Sequence, residues 1–149
     1  RPCQSFAVSA EKIINDLRSN YDCIVGIHAR RGDYITYLDG IHYHSWESYL
    51  NWGNVTKKAL EFSGKKNVGI VICSDEVPPT SITKRQSVHF SSSNEIMIDI
   101  NLLFRCDYNL GPPSSFGTWV SWFGKVPRLV VNKNTDVISL EQFEVCTTC

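Results

Sequence analysis

The feature that most constrains the fold is a seven-residue apolar run, Cys23 to Ala29, that stops abruptly at Arg30-Arg31-Gly32-Asp33. A run of this length, bounded by charge, reads as a strand buried on both faces. Short apolar segments recur at Asn67 to Cys73, Tyr108 to Leu110 and Leu129 to Val131, and Val88 to Phe90 reads as a further short strand. Helical spacing fills the gaps. Ser9 can cap a helix through Asn20, with Ile13, Ile14 and Leu17 on one face. Trp46 to Ser63 has helical spacing through Tyr49, Trp52, Leu60 and Phe62, and Gly64 stops it. Asn94 can cap a helix through Arg105, in which Ile96, Ile98, Ile100, Leu102 and Leu103 are too apolar for a surface. Pro78-Pro79 marks a loop, and Gly111-Pro112-Pro113 turns the chain into a helix starting near Ser114 or Ser115. Strands alternating with helices imply an α/β domain whose parallel sheet is covered on both faces.

That architecture fixes where a ligand belongs. Open parallel sheets bind ligands beyond the carboxyl ends of their strands. His28, Arg30, Arg31, Gly32 and Asp33 fall at the end of the first strand. Two arginines beside a glycine, which lets backbone come close, suit a multiply charged anion. Ser74-Asp75-Glu76 ends the second long strand, and Ser114-Ser115 opens a helix whose free N–H groups and dipole favour an anion. Asp99 lies on the preceding helix. An ionised carboxylate only accepts hydrogen bonds, so Asp99 suits a donor edge such as that of guanine. Asp33 can also serve as a salt-bridge partner that orients Arg30 or Arg31.

The chain has 149 residues, 42% of them hydrophobic, and zero formal net charge. That length suits one domain, and the apolar content excludes a disordered chain. Neutrality argues against a nucleic-acid binder with a broad basic surface. No apolar run reaches the length of a membrane span, and no N-terminal segment reads as a signal peptide. The first residue is Arg1 rather than methionine, which fits a processed or excised piece. Cys23, Cys73 and Cys106 lie in or beside apolar segments and read as buried thiols. Cys146 and Cys149 have C-x-x-C spacing without a second Cys/His pair, so a local disulfide or two unpaired thiols is expected there rather than a zinc or redox site. His42 and His44 have no evident third ligand and read as solvated. Trp119 and Trp122 read as core. Arg31-Gly32-Asp33 matches an adhesion tripeptide, but it leaves a buried strand rather than a flexible loop.

His28-Ala29-Arg30-Arg31-Gly32-Asp33-Tyr34 resembles the H-x-R-R-G-D-Y motif of the α1,2-fucosyltransferases of glycosyltransferase family 11. It is also similar to the H-x-R-R motif of α1,6-fucosyltransferases and protein O-fucosyltransferases. Val71-Ile72-Cys73-Ser74-Asp75-Glu76 resembles the family's second motif, and Asp99 to Cys106 followed by Pro113 to Trp119 resembles the third. The resemblance runs, in the family's order, over residues 23 to 124. It implies a Rossmann-like sheet forming the C-terminal, nucleotide-sugar-binding lobe of a GT-B glycosyltransferase, with the N-terminal acceptor lobe absent. It implies GDP-fucose as donor substrate, a glycan acceptor, inversion at the anomeric carbon, and no metal or other cofactor. By position, Arg30 would bind the β-phosphate and act in catalysis, with Arg31 in support. His28, Asp33, Ser74 and Asp75 would lie at the donor, Asp99 would read guanine, and Ser114, Ser115 and Phe116 would form the nucleotide-binding turn. Glu76 stands where the family has a second aspartate, and Gly117 and Thr118 replace residues that are usually Ser and Trp. Localisation would be cytoplasmic in a bacterium and Golgi or secretory lumen in a eukaryote. The alternative is a non-catalytic nucleotide- or anion-binding module of the same fold.

Overall fold

The computed structural model describes residues 2–84, 88–91 and 95–148, apart from the side chains of Pro2 and Cys3. Asn94 and Cys149, read above as a cap and a possible disulfide partner, lie outside the described residues. Five parallel strands form one sheet: β1 (Cys23–Ala29), β2 (Val68–Ser74), β3 (Val88–Phe90), β4 (Tyr108–Gly111) and β5 (Arg128–Val130). Their order is β3-β2-β1-β4-β5. The chain builds outward from β1 in one direction, then crosses back to build outward in the other. The switch point therefore lies between β1 and β4, where Ile27 pairs with Leu110. This is the α/β sheet read from the alternating pattern.

Helices cover both faces. On one side α2 (Trp46–Phe62) presents Tyr49, Leu50 and Leu60 to Val25, Ile27, Ile70 and Ile72. On the other, α1 (Pro2–Arg18), α4 (Ile96–Leu103) and α5 (Ser115–Gly124) gather Ile14, Leu102, Leu103 and Val120 around Ile24 and Val71. Strand alternation sends Val25 and Ile27 to one core and Ile24 to the other. All seven residues of β1 are buried, which accounts for its unbroken apolar run. Ile24, Val25 and Ile27 each contribute about 1.5–3 kcal/mol by leaving water. A one-turn helix, α3 (Thr80–Thr83), precedes β3. Short 3₁₀ turns at Asp33–Ile35 and Tyr37–Gly40 form the loop after β1, and a third lies at Leu140–Gln142.

Several expectations need correction. The first helix starts near Pro2, so Ser9 lies inside it rather than capping it. Phe62 is 96% exposed at the end of α2, and Ile96 is 59% exposed at the start of α4, where it rims a cleft. His44 is buried edge-on against Trp52 and Tyr49, not solvated. Trp119 packs on the α1/α4/α5 core, but Trp122 is only half-buried, beneath Lys125. Cys23, Cys73 and Cys106 are buried free thiols as expected, and Cys146 is also free.

Candidate active site at the carboxyl edge of the sheet

Where β1 ends, its last residues diverge. Arg30 turns toward a cleft above the switch point. Its Nε and Nη2 donate to both oxygens of Asp33 at 2.8 and 2.9 Å, and Nε lies 3.5 Å from Asp75 Oδ2. The hydrogen bond to Asp33 is the main reason that the Arg30 pKa rises and the Asp33 pKa falls. The expected orienting role of Asp33 is thus visible in its geometry.

Arg31 turns the other way. Its guanidinium donates to Glu76, to the His44 carbonyl and, at 2.5 Å, to the Tyr43 hydroxyl. It lies between the rings of Tyr43 and Trp46, 4.6 and 4.8 Å from their centroids. Arg31 is buried and does not line the cleft. Glu76, the departure from the family pattern, is the carboxylate that neutralises it.

Asp75 ties the two central strand ends together. It accepts from the backbone N–H of Arg31 at 2.9 Å and of Gly32 at 3.1 Å. A Cβ on Gly32 would lie 2.9 Å from Asp75 Oδ2, so the close approach needs a glycine. Ser74 Oγ donates to the Ala29 carbonyl at 2.8 Å, closing the same corner.

His28 sits at the centre. It is 8% exposed, and its ring packs at 4.4 Å on Phe116. Its Nδ1 lies 3.4 Å from Ser114 Oγ. Burial, with the Arg128 and Arg30 charges, pulls its pKa down to about 3, so the ring is neutral at pH 7. Ser114 caps α5 by accepting from Gly117 N at 3.0 Å. The turn before it is pinned by Tyr34, whose hydroxyl donates to the Pro113 carbonyl at 2.5 Å.

Two adjoining cavities occupy this edge and share His28, Arg30, Ile96 and Phe116. The smaller, about 300 Å³, reaches Ser74, Asp75, Val77 and Asp99. The larger, about 610 Å³, reaches Asp33, Ser114, Ser115 and Arg128, and is lined also by Tyr34, Tyr37 and His42. Asp99 is buried, not a helix-surface carboxylate, and accepts a hydrogen bond from Ser91 Oγ. Nine of the ten sequence-predicted site residues line the cavities, and Arg31 alone does not.

Sequence reading missed Arg128, Tyr34, Tyr37, His42 and Ile96. The signal for Arg128 was a basic residue directly before an apolar strand. Tyr34 closes the first motif without a role of its own, Tyr37 carries no distinct signal, His42 reads as solvated and Ile96 as core. Among the described residues no group of three His, Cys, Asp or Glu side chains could hold a metal ion, and no helix is long and apolar enough to cross a membrane.

A parallel sheet of this strand order, with its cleft at the switch point, defines a Rossmann-like α/β domain. Residues 5–141 match glycosyl transferase family 11, and the chain belongs to that family. The fucosyltransferase resemblance carried by the three motifs is therefore borne out, and with it a glycosyltransferase activity in general terms. No curated protein and no solved structure matches the chain.

Proposed function

We propose that this chain is the donor-binding lobe of an inverting fucosyltransferase that takes GDP-fucose and serves a glycan hydroxyl. Family membership supports the reaction class. The observation that carries the donor is the pairing of the two cavities. The smaller ends at Asp99, an acceptor suited to the N–H edge of guanine, and the larger holds arginines and the N-terminus of α5, suited to the diphosphate.

The reaction breaks the bond between the fucose anomeric carbon and the β-phosphate oxygen. Its electron pair stays on GDP while the sugar becomes cation-like. The acceptor hydroxyl forms the new bond from the opposite face and releases its proton to water, leaving fucoside, GDP and a solvated proton. Charge grows on the leaving phosphate, so an arginine there binds the transition state more tightly than the ground state. Arg30 is held for that task by Asp33 and Asp75. Arg31 supports it from behind, through its backbone contact with Asp75. His28, whose pKa burial pulls down, lines both cavities as a wall and hydrogen-bonding group. No metal is needed where arginines offset the diphosphate. The acceptor site would be completed by a second lobe.

A thermal-shift panel tests the reading. GDP-fucose and GDP should raise the melting temperature by several degrees, since ligand at 100 times its Kd adds about 2.7 kcal/mol. UDP-galactose and ADP should not, and EDTA should leave the GDP effect unchanged. A shift of equal size with every nucleotide would refute it.

A further inference from the structure

We infer that Arg128, seated in the space left by Gly117, is a second cation that joins Arg30 in binding the distal phosphate of the donor. This rests on the donor reading above and adds a residue outside the three motifs.

The charge count of the cleft raises the question. Its lining carries two arginines, Arg30 and Arg128, against three carboxylates, Asp33, Asp75 and Asp99. His28 adds nothing, being neutral. Arg30 is already matched by Asp33 and Asp75. A diphosphate entering such a cleft meets repulsion unless another positive group is free to face it.

Arg128 is that group. It is 6% exposed, yet no carboxylate pairs with it among the described residues. Its Nη2 donates to the Pro112 carbonyl at 2.7 Å, and its other side-chain N–H groups have no hydrogen bond to the described protein. Burial alone pulls its pKa below the usual guanidinium value, the sign of a cation held where it is poorly solvated. It is also set against the first turn of α5, the positive end of that helix. Two positive features placed together with no counter-charge cost stability in the empty protein. An anion in the larger cavity, which Arg128 lines, relieves that cost.

The neighbouring sequence makes the arrangement possible. A Cβ at Gly117 would lie within 2.7 Å of Arg128 Cζ and Nε. Having no side chain, Gly117 leaves open the berth that the guanidinium fills. The backbone of Arg128 is fixed as well. Its N–H donates to the Glu144 carbonyl at 2.8 Å and its carbonyl accepts from Glu144 N at 3.2 Å. Arg128 lines only the cavity away from Asp99, which places it at the phosphate and sugar end of a nucleotide whose base lies at Asp99.

The test is calorimetry on the 149-residue chain with inorganic pyrophosphate, GDP and guanosine as probes. Arg128→Met should weaken pyrophosphate and GDP by about tenfold or more, the scale of a charge-assisted hydrogen bond, and leave guanosine unchanged. Its melting temperature without ligand should equal or exceed the parent's, because an unpaired buried charge has been removed. Gly117→Ala should fold, displace the guanidinium and weaken GDP similarly, with no added effect on top of Arg128→Met. Arg128→Lys, which keeps the charge, should fall between parent and Arg128→Met. Unchanged GDP and pyrophosphate affinity in Arg128→Met would overturn the inference, as would additive losses in the double variant. A parent that binds pyrophosphate through Arg128 but shows no preference for GDP would refute the donor reading while leaving the anion site standing.

Discussion

Arg30 and Arg31 are adjacent in the chain and do different work. A strand ending at Ala29 sends successive side chains to opposite sides, so one guanidinium enters the cleft and the other enters the protein. The sequence displays the pair but not which member faces which way. That depends on Tyr43, Trp46 and Glu76, remote in sequence from the strand they brace. Arg30→Ala should therefore abolish measurable GDP binding. Arg31→Lys should lower folding stability by about 1–3 kcal/mol in denaturant, because lysine cannot reproduce a planar fork bonded on several sides. It should weaken GDP only secondarily. A stable Arg31→Lys with an Arg30→Ala-like binding defect would instead make Arg31 a direct phosphate ligand. His28 supplies a second prediction. Unfolded, its imidazole takes a proton near pH 6.5; folded, only near 3. Between those values the unfolded chain binds more protons, so stability falls as pH drops from about 6.5 toward 3. His44, lowered to about 4, adds to the slope. His28→Gln should flatten the pH dependence of stability; an unaltered slope would show that His28 is already protonated in the fold.

Among the elements, the strands were the most legible. β1 has the predicted bounds, and β2, β4 and β5 shift by a residue at one or both ends. Apolar runs bounded by charge leave little choice of register once both faces are buried. Helix ends were less legible. α1 extends back past Ser9 to Pro2, although its buried residues, Ala10 and Ile14, lie beyond Ser9. Ile96 and Phe62 show the limit of hydrophobic periodicity: it marks a helix without saying where the core stops and a cleft or solvent begins. α5 was read correctly from Pro112-Pro113 and the two serines, and its start is also part of the site. Ser114→Ala removes the cap to Gly117 N and the contact to His28. It should cost about 1 kcal/mol of stability by chemical denaturation, with a larger loss in GDP affinity than in stability. A loss confined to stability would place the phosphates away from this helix end.

At the scale of the molecule, the strand order puts β2, β1 and β4 side by side, and residues of all three motifs meet in the two cavities at their carboxyl edge. That convergence was legible because parallel sheets bind at that edge. Arg128 was not, since it reaches the cleft only after the chain has crossed back and added its last strand. On the donor-lobe reading proposed above, alignment of acceptor against sugar, which contributes on the order of 7–11 kcal/mol in ideal geometry, needs a second lobe. The 149-residue chain should therefore bind GDP-fucose, hydrolyse it slowly or not at all, and transfer no fucose to galactosides in a radiolabel assay. Robust transfer would place the acceptor site within this chain, in the loop from Tyr34 to His44. The most direct test of the central claim, a cleft that reads a guanine diphosphate, is a calorimetric titration of GDP, UDP and ADP into the parent chain and Asp99→Ala. The account predicts saturable GDP binding at least about tenfold tighter than UDP or ADP, with that preference lost in Asp99→Ala. Equal affinity for all three nucleotides, or an Asp99→Ala chain that still prefers GDP, would contradict it.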